Sequence, residues 1–241
     1  MKYKHAIIVG ASSGLGRELA YLLAESGCKT AILARDEERL RFVAGKHPQR
    51  LLPFVHDVRD TDAVPELFQQ ITKELGGLDL VIYCSGVMPE VGPHEFNFQK
   101  DKLMVDVNLI GAIAWLNQAA IRFQETRSGT IVGIGSVAGD RGRCGQPVYN
   151  TTKAALATYL EALRNRLSRL GVRVVTIKPG PMQTEMTRHL HLRGAMLPQI
   201  AAKKVLAKSR KTGEHYLKPT HRIAFALIRM IPSPIFRRLK I

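Results

Sequence analysis

Residues 5 to 16 read HAIIVGASSGLG, a short apolar run that ends in a glycine-rich turn. Similar runs rich in Val and Ile alternate with segments of helical period along the chain. These runs predict strands at 5–9, 30–34, 51–56, 78–84, 129–135, 172–178 and 214–217. The helical segments are 15–26, 36–44, 62–75, 100–123, 148–170 and 198–209. Because parallel strands need helical crossovers, this order predicts a doubly wound α/β fold, a parallel sheet with helices on both faces.

The length and composition favour one globular domain. The chain has 241 residues, of which 45% are apolar and 23% charged, enough for one sizeable core. Neither a repeat nor a low-complexity linker interrupts the alternation. We therefore expect a single domain over residues 1–219, followed by a basic amphipathic tail over residues 220–241.

Several classes of protein are disfavoured by the same sequence. The N-terminal apolar run, Ala6 to Val9, is shorter than the roughly 7 to 15 residues of a secretory signal. No run approaches the roughly 18 uninterrupted apolar residues of a spanning helix. The three cysteines, Cys28, Cys84 and Cys144, are far apart, which argues against a disulfide framework and a zinc site. We expect a cytoplasmic protein without a bound metal.

Basic residues are concentrated near the C-terminus. Residues 186–241 contain 13 Lys and Arg but one acidic residue, and they account for most of the net charge of +16. A solvated surface, an anionic membrane, nucleic acid or an acidic substrate would each fit this charge. Nucleic acid is the weakest of these, because the basic residues are not interleaved with stacking aromatics. The tail either makes peripheral contact with a membrane or packs on its own domain or a partner subunit.

The turn after the first strand is typical of a nucleotide site. Gly10, Gly14 and Gly16 permit unusual backbone angles and close approach of a diphosphate, and the next helix offers unpaired N–H groups. No Lys follows Gly16, so this is not the phosphate loop of nucleotide hydrolases. The turn residues predicted to contact the nucleotide are Gly10, Ser12, Ser13, Gly14, Leu15 and Gly16.

The second strand closes with Ala34 and Arg35, where an acidic residue would favour NAD. An arginine can instead pair with the 2′-phosphate of NADP. The alternative is that Arg35 is a solvated residue beside Asp36 and Glu37 at a helix start. The sequence favours NADP over NAD.

Four further residues predict chemistry at this edge of the sheet. Tyr149 and Lys153 are four apart in a predicted helix, so they share a face, and the ammonium should lower the phenol's pKa from about 10. Ser136 ends a predicted strand, where its hydroxyl could bind a carbonyl or alcohol oxygen. Asn108 lies in a helix interior, an unfavourable place for Asn unless its side chain has another role.

With these residues, the chain resembles the short-chain dehydrogenase/reductase family over about residues 5 to 219, on a Rossmann-type sheet. The motifs occur in the family's order: GASSGLG at 10–16, HDV at 56–58, VNLIG at 107–111, Ser136, Tyr149 with Lys153, and KPGPMQT at 178–184. The resemblance implies that Tyr149 is the general acid or base and that Ser136 orients the substrate oxygen. It implies that Lys153 also binds the nicotinamide ribose and that Asn108 holds a water of the proton relay.

The resemblance also implies further cofactor contacts. Asp57 and Val58 would contact the adenine, and the residues bordering the nicotinamide and its phosphate would be Pro179, Gly180, Met182 and Thr184. One motif departs from the family: Tyr83-Cys84-Ser85-Gly86 replaces the usual Asn-Asn-Ala-Gly. Gly86 keeps the close backbone approach, whereas the asparagine contacts cannot be carried over. Cys84 is predicted to be a small buried residue and not a redox thiol.

The implied activity is reversible hydride transfer between NADPH and a carbonyl group. The alternative is a catalytically weak protein on the same fold, acting as a nucleotide-sensing regulator or at a membrane surface. The substrate is open, including lipid-like and anionic molecules, and the resemblance implies a homodimer or homotetramer through the fourth and fifth predicted helices.

The variable segment of the family falls at residues 185–197 and is expected to be a substrate lid. Its basic residues either attract an anionic substrate or are solvated; they are Arg188, His189, His191 and Arg193. Cys144 either lines the substrate mouth or is a passive loop thiol.

Overall fold

A computed structural model describes residues 3–92, 94–190 and 194–239. Its seven parallel strands form one sheet in the order β3-β2-β1-β4-β5-β6-β7, which confirms the predicted fold class. The strands are β1 (His5–Val9), β2 (Lys29–Ala34), β3 (Leu51–Val55), β4 (Leu80–Tyr83), β5 (Gly129–Ile134), β6 (Val172–Lys178) and β7 (Gly213–Tyr216). β1 and β6 have the predicted bounds, and the others differ by one or two residues.

Helices connect the strands and continue beyond the last one. They are α1 (Gly14–Glu25), α2 (Glu37–Gly45), α3 (Val64–Leu75), α4 (Phe98–Val105), α5 (Gly111–Thr126), α6 (Pro147–Leu167), α7 (Pro198–Lys208), α8 (Pro219–Met230) and α9 (Ser233–Phe236). Short 3-10 turns cover Val137–Asp140, Ser168–Leu170 and Glu185–Leu190. The segment predicted to be an amphipathic tail, residues 220–241, contains most of α8 and all of α9, with Pro232 between the two helices.

The sheet buries both of its faces. Successive residues of a strand point to opposite sides, so Ile8 packs with α1 and α7 while Ile7 packs with α3, α5 and α6. The chain adds β2 and β3 on one side of β1, then returns to place β4 on the other side. The order of the strands therefore reverses between β1 and β4, where a doubly wound sheet opens a crevice at its carboxyl edge.

The fourth predicted helix, 100–123, is wrong as one regular element. A π turn, Asp106–Ile110, separates α4 from α5. The combined run Phe98–Thr126 is long and apolar enough to cross a membrane by length and composition, but 44% of its most apolar window is buried inside the protein. Trp115 and Phe123 of α5 are fully buried in the core. α5 therefore contributes these two side chains to the core.

Candidate active site

A cavity of about 600 Å³ lies at the carboxyl edge of the sheet, where the strand order reverses. Every predicted site residue except Asn108 lines it. Six segments border this one space: the glycine turn, the end of β2, the loop after β4, Ser136, the first turns of α6 and the loop after β6. The structure therefore brings together the residues that the sequence singled out from distant parts of the chain.

The glycine turn leaves no room for side chains at two positions. A Cβ at Gly16 would lie 1.9 Å from the carbonyl oxygen of Gly10, and a Cβ at Gly10 would lie 2.5 Å from the amide nitrogen of Ser85. Gly10 and Gly14 also have φ values of 91° and 53°, which favour glycine. Ser13 caps α1 without a side-chain hydrogen bond to the helix, so α1 points free N–H groups at the cavity. This cradle fits the diphosphate of a dinucleotide.

Two arginines border the cavity beside β2. Arg35 is exposed and lines the cavity at the end of the strand, as the NADP prediction requires. Arg39, which the sequence argument missed, lies on the first turns of α2. Its guanidinium contacts Glu185 at 2.6 Å and Asp36 at 3.2 Å, so it links α2 to the start of the lid across the cavity. The two arginines fit a 2′-phosphate. The spacing of four residues between Arg35 and Arg39 could have indicated in the sequence that both reach the cavity.

Asp57 and Val58 lie in the loop after β3 and line the cavity. The Asp57 carboxylate is paired with Arg59 at 2.6 Å, and this hydrogen bond holds its pKa below the usual range. Val58 is buried, with its backbone packed against Gly111. Both residues therefore have fixed positions beside the region that the family pattern assigns to adenine.

Ser136 and Tyr149 both line the cavity, and the Ser136 side chain lies near enough to lower the pKa of Tyr149. Ser136 follows β5 and caps the turn Val137–Asp140, where its Oγ accepts from the amide of Ala138 at 3.0 Å. Tyr149 projects from the first turn of α6, which Pro147 begins. Gly139 allows the turn and helix to approach, since a Cβ there would lie 2.7 Å from the amide nitrogen of Ala154. Two hydroxyls are thus fixed side by side in the cavity wall.

Lys153 is buried one turn behind Tyr149. Its ammonium donates to the carbonyl of Ile134 at 3.1 Å and lies 5.7 Å from the centre of the Tyr149 ring. Burial lowers the pKa of Lys153 to about 8. Burial also raises the pKa of Tyr149, while the hydrogen bond from Ser136 and the charge of Arg143 oppose that increase. The net pKa of Tyr149 is therefore raised, and not lowered as expected, because desolvation outweighs the nearby charges.

Asn108 lies in the π turn, and not in a regular helix interior as predicted. Its Oδ1 accepts from the amide of Val87 at 2.7 Å, and its Nδ2 donates to the carbonyl of Val87 at 3.0 Å and to Thr152 at 3.3 Å. These bonds satisfy a fully buried amide. Asn108 thus joins the loop after β4 to α6 from behind the cavity.

The departure at Tyr83-Cys84-Ser85-Gly86 has a structural explanation. The buried Tyr83 hydroxyl donates to the carbonyl of Val107 at 2.5 Å, which ties β4 to the π turn beside Asn108. Cys84 is half-buried and lines the cavity, so its burial is partial. Burial nevertheless raises the thiol's pKa to about 12, which keeps it protonated and unreactive. Gly86 lies close to Lys153, where a Cβ would be 3.5 Å from the ammonium.

Arg143 is the charged residue beside Tyr149 that the sequence argument missed. It lines the cavity, and its Nε is buried without a hydrogen-bond partner among the described residues. Asn150 shapes this loop by donating to the carbonyls of Arg143 and Gly145. The sequence has two arginines between Ser136 and Tyr149, Arg141 and Arg143. Arg141 contacts α8, so Arg143 is the one beside Tyr149, and the sequence does not distinguish them.

The described basic residues of the predicted lid do not line the cavity, where an anionic substrate would need them. Arg188 and His189 are exposed and absent from the cavity wall, whereas Met186, Thr187 and Leu190 line it. His191 and Arg193 lie outside the described residues. Cys144 is exposed and is not among the described residues that line the cavity. The part of the predicted lid that faces the cavity therefore combines polar residues, Glu185 and Thr187, with apolar ones, Met186 and Leu190.

The model of the short chain dehydrogenase family matches residues 4–193. The chain belongs to this family. This short-chain dehydrogenase is 36% identical over 190 residues to an uncharacterized oxidoreductase of Myxococcus xanthus, a match that covers 78% of this chain and 75% of the relative. An uncharacterized oxidoreductase of Staphylococcus aureus is 33% identical over 185 residues, or 76% of this chain and 80% of the relative.

Solved structures share the whole fold with this short-chain dehydrogenase. A short chain dehydrogenase of Burkholderia cenocepacia, solved in complex with NADP, superposes with a TM-score of 0.86 at 22% identity and covers 99% of this chain and 98% of the other. A short-chain dehydrogenase of Streptomyces avermitilis has the same TM-score at 21% identity, covering 98% and 95%. At these identities the likeness shows a common fold, including the segment beyond residue 193.

Proposed function

We propose that this enzyme is an NADP-dependent carbonyl reductase that interconverts a ketone or aldehyde and an alcohol. The observation that carries the proposal is that Ser136 and Tyr149 line the same cavity as the glycine turn. The cavity contains the cradle for a dinucleotide and two hydroxyl donors for one substrate oxygen. Substrate and cofactor would therefore meet inside one site.

In the proposed reaction, the chain's own residues act on the substrate oxygen and its proton. Both hydroxyls donate to the carbonyl oxygen, which stabilises the negative charge that develops on it. Tyr149 then transfers its proton to that oxygen, and the reverse direction returns the proton to the phenolate. When bound, the nicotinamide supplies or accepts the hydride. A raised pKa keeps Tyr149 protonated at neutral pH, the form that reduction requires.

Lys153 is proposed to bind the cofactor ribose and to support the phenolate. Below a pH of about 8 it carries its charge close to the Tyr149 ring, where it favours the phenolate formed after proton transfer. Asn108 is proposed to serve the proton relay through the backbone of its π turn, because its side chain is already bonded to Val87 and Thr152. The relay would then replenish the Tyr149 proton.

The preference for NADP is supported by charge at the end of β2. Arg35 and Arg39 both line the cavity there, and a 2′-phosphate would compete with Glu185 for the guanidinium of Arg39. The neighbour from Burkholderia cenocepacia that was solved with NADP agrees with this choice. Pro179, Gly180, Met182 and Thr184 would border the other end of the cofactor.

The decisive experiment is the substitution Tyr149→Phe, assayed by NADPH oxidation with a panel of ketones. We expect a loss of turnover of about 10³-fold or more, with NADPH affinity nearly unchanged. Tyr159→Phe is the matched control, since Tyr159 lies on the same helix and its hydroxyl bonds to Asn117 on α5. Near-native rates in Tyr149→Phe would show that another group supplies the proton.

We also propose a cytoplasmic homodimer or homotetramer formed through α5 and α6. The outer side of α5 exposes Ile121 by 54%, and Tyr159 of α6 contacts α5 beside it. Sedimentation velocity of the purified chain tests this, and Ile121→Asp should weaken the association. The alternative of a nucleotide sensor without catalysis is not favoured, because Ser136, Tyr149 and Lys153 all line the cavity.

A further inference from the structure

The inner face of α8 is docked on the catalytic domain. His221 and Phe225 line the cavity, and a Cβ at Gly180 would lie 2.1 Å from the Cε1 of His221, so the imidazole packs directly on this glycine. Arg141 donates to the carbonyls of Ile228 and Arg229 at 2.8 and 3.0 Å, at the C-terminal end of the helix. These contacts fix which side of α8 faces the protein.

The opposite face of α8 is apolar and uncovered. Ile223, Leu227 and Met230 follow each other at intervals of four and three residues, and their exposed fractions are 66%, 60% and 78%. This spacing places all three on one stripe of the helix. Ile235 and Leu239, exposed by 56% and 39%, add apolar surface after Pro232. We call these five residues the outer stripe.

Positive charge surrounds the outer stripe. Arg222, Arg237 and Arg238 are exposed beside it. In residues 186–241 the one acidic residue is Glu214, and its carboxylate is paired with Lys178 at 2.8 Å. A second copy of this chain would bring like charges together at this face, whereas an anionic lipid surface supplies the opposite charge.

We propose that α8 and α9 seat this protein on an anionic lipid bilayer. The outer stripe lies in the boundary between headgroups and acyl chains, and the three arginines contact lipid phosphates. The inner face of α8 stays packed on the protein while the outer stripe contacts the membrane. The tail therefore packs on its own domain and binds the membrane at the same time. Since Phe225 and His221 form part of the cavity wall, the bilayer then borders the active site.

Vesicle sedimentation with the full-length protein tests the surface. Wild type should bind vesicles of equimolar phosphatidylcholine and phosphatidylglycerol, but not vesicles of phosphatidylcholine alone. The triple substitution Ile223→Ser, Leu227→Ser and Met230→Ser should reduce the partition coefficient about tenfold or more. The triple substitution Arg222→Gln, Arg237→Gln and Arg238→Gln should reduce it about fivefold per arginine at low salt.

Phe42→Ser is the matched control, because Phe42 on α2 is exposed by 64% and lies outside the outer stripe. It should bind like wild type. Equal binding by wild type and the triple-serine variant would overturn the proposal, as would equal binding to both kinds of vesicle. Self-association that the triple-serine variant abolishes, without vesicle binding by wild type, would instead show that a second copy covers the stripe.

One consequence for the substrate rests on the proposed reductase function. A carbonyl compound that partitions into the bilayer should be reduced faster when anionic vesicles are present, and the triple-serine variant should lose this increase while reducing a short water-soluble ketone at the wild-type rate. Tyr149→Phe separates the two proposals, because it should bind vesicles normally even though it is inactive. Failure of vesicle binding with intact ketone reduction would refute the membrane surface alone.

Discussion

The glycine turn after β1 and the helix α8 border the same cavity, but different forces hold them there. The turn is fixed by sterics, since a Cβ at Gly16 would lie 1.9 Å from the carbonyl oxygen of Gly10. The region around α8 is fixed by charge. Asp140, whose side chain is fully buried, bonds to Lys178 at 2.6 Å, to Tyr216 at 2.9 Å and to Arg229.

One site thus combines two kinds of region. The glycine turn excludes any added side chain, whereas the region around α8 depends on a few ionised groups. Backbone exclusion acts at every pH and salt concentration. A charge cluster depends on each of its members, and removing one leaves another buried without its partner. The predictions below test whether the two regions respond as differently as this comparison requires.

The largest change of stability is expected from Asp140→Ala. The variant leaves Lys178, with 2% of its side chain exposed, paired only with Glu214, and it leaves Arg229 of α8 with its 4.0 Å contact to Glu214. Loss of one partner in a buried charge pair should lower the free energy of unfolding by about 3–5 kcal/mol, measured by urea unfolding. Glu37→Ala, which removes an exposed pair with Arg41, should have little effect. Similar midpoints for the two variants would contradict the role of the cluster.

A smaller and more selective effect is expected at the nucleotide end of the cavity. Arg35→Ala should weaken NADPH binding by about 10- to 100-fold, because a charged hydrogen bond is lost, and should leave NADH binding unchanged. Fluorescence titration with both cofactors measures this. Arg39→Ala should have the smaller effect, since Arg39 is already shared with Glu185 and Asp36. An equal loss of both cofactors in Arg35→Ala would show that the arginine does not read the 2′-phosphate.

The smallest expected effect is a shift in pH dependence. Arg143 lowers the pKa of Tyr149, so Arg143→Gln should raise that pKa. Reduction needs the protonated phenol, and its alkaline decline should move to higher pH by roughly one unit or less. Alcohol oxidation needs the phenolate, and its rise should move to higher pH as well. The exposed Arg188→Gln is the control, and a similar shift in both variants would remove Arg143 from this role.

Features fixed by local rules could be predicted from the sequence. β1 and β6 are short runs rich in Val and Ile that end at turn residues, and the glycine turn leaves no room for a Cβ at Gly10 or Gly16. Tyr149 and Lys153 share a helix face by spacing alone, so their convergence on the cavity followed from the helix.

Features that depend on distant packing could not be predicted. The π turn at Asp106–Ile110 is held by the Tyr83 hydroxyl from another element, and no local pattern encodes that bond. The position of Arg143 depends on Asn150 and on the left-handed backbone of Gln146, whose φ is 58°. The pKa of Tyr149 depends on burial, which opposes the effect that spacing from Lys153 suggested.

The docking of His221 on Gly180 makes α8 one side of the cavity that could be exchanged as a unit. Among the described residues of α8, which begins at Pro219, His221 and Phe225 are the ones that line the cavity. Exchanging residues 219–239 between relatives that keep a glycine at position 180 and an arginine at position 229 should therefore change which molecules enter, while the proton-transfer machinery stays the same.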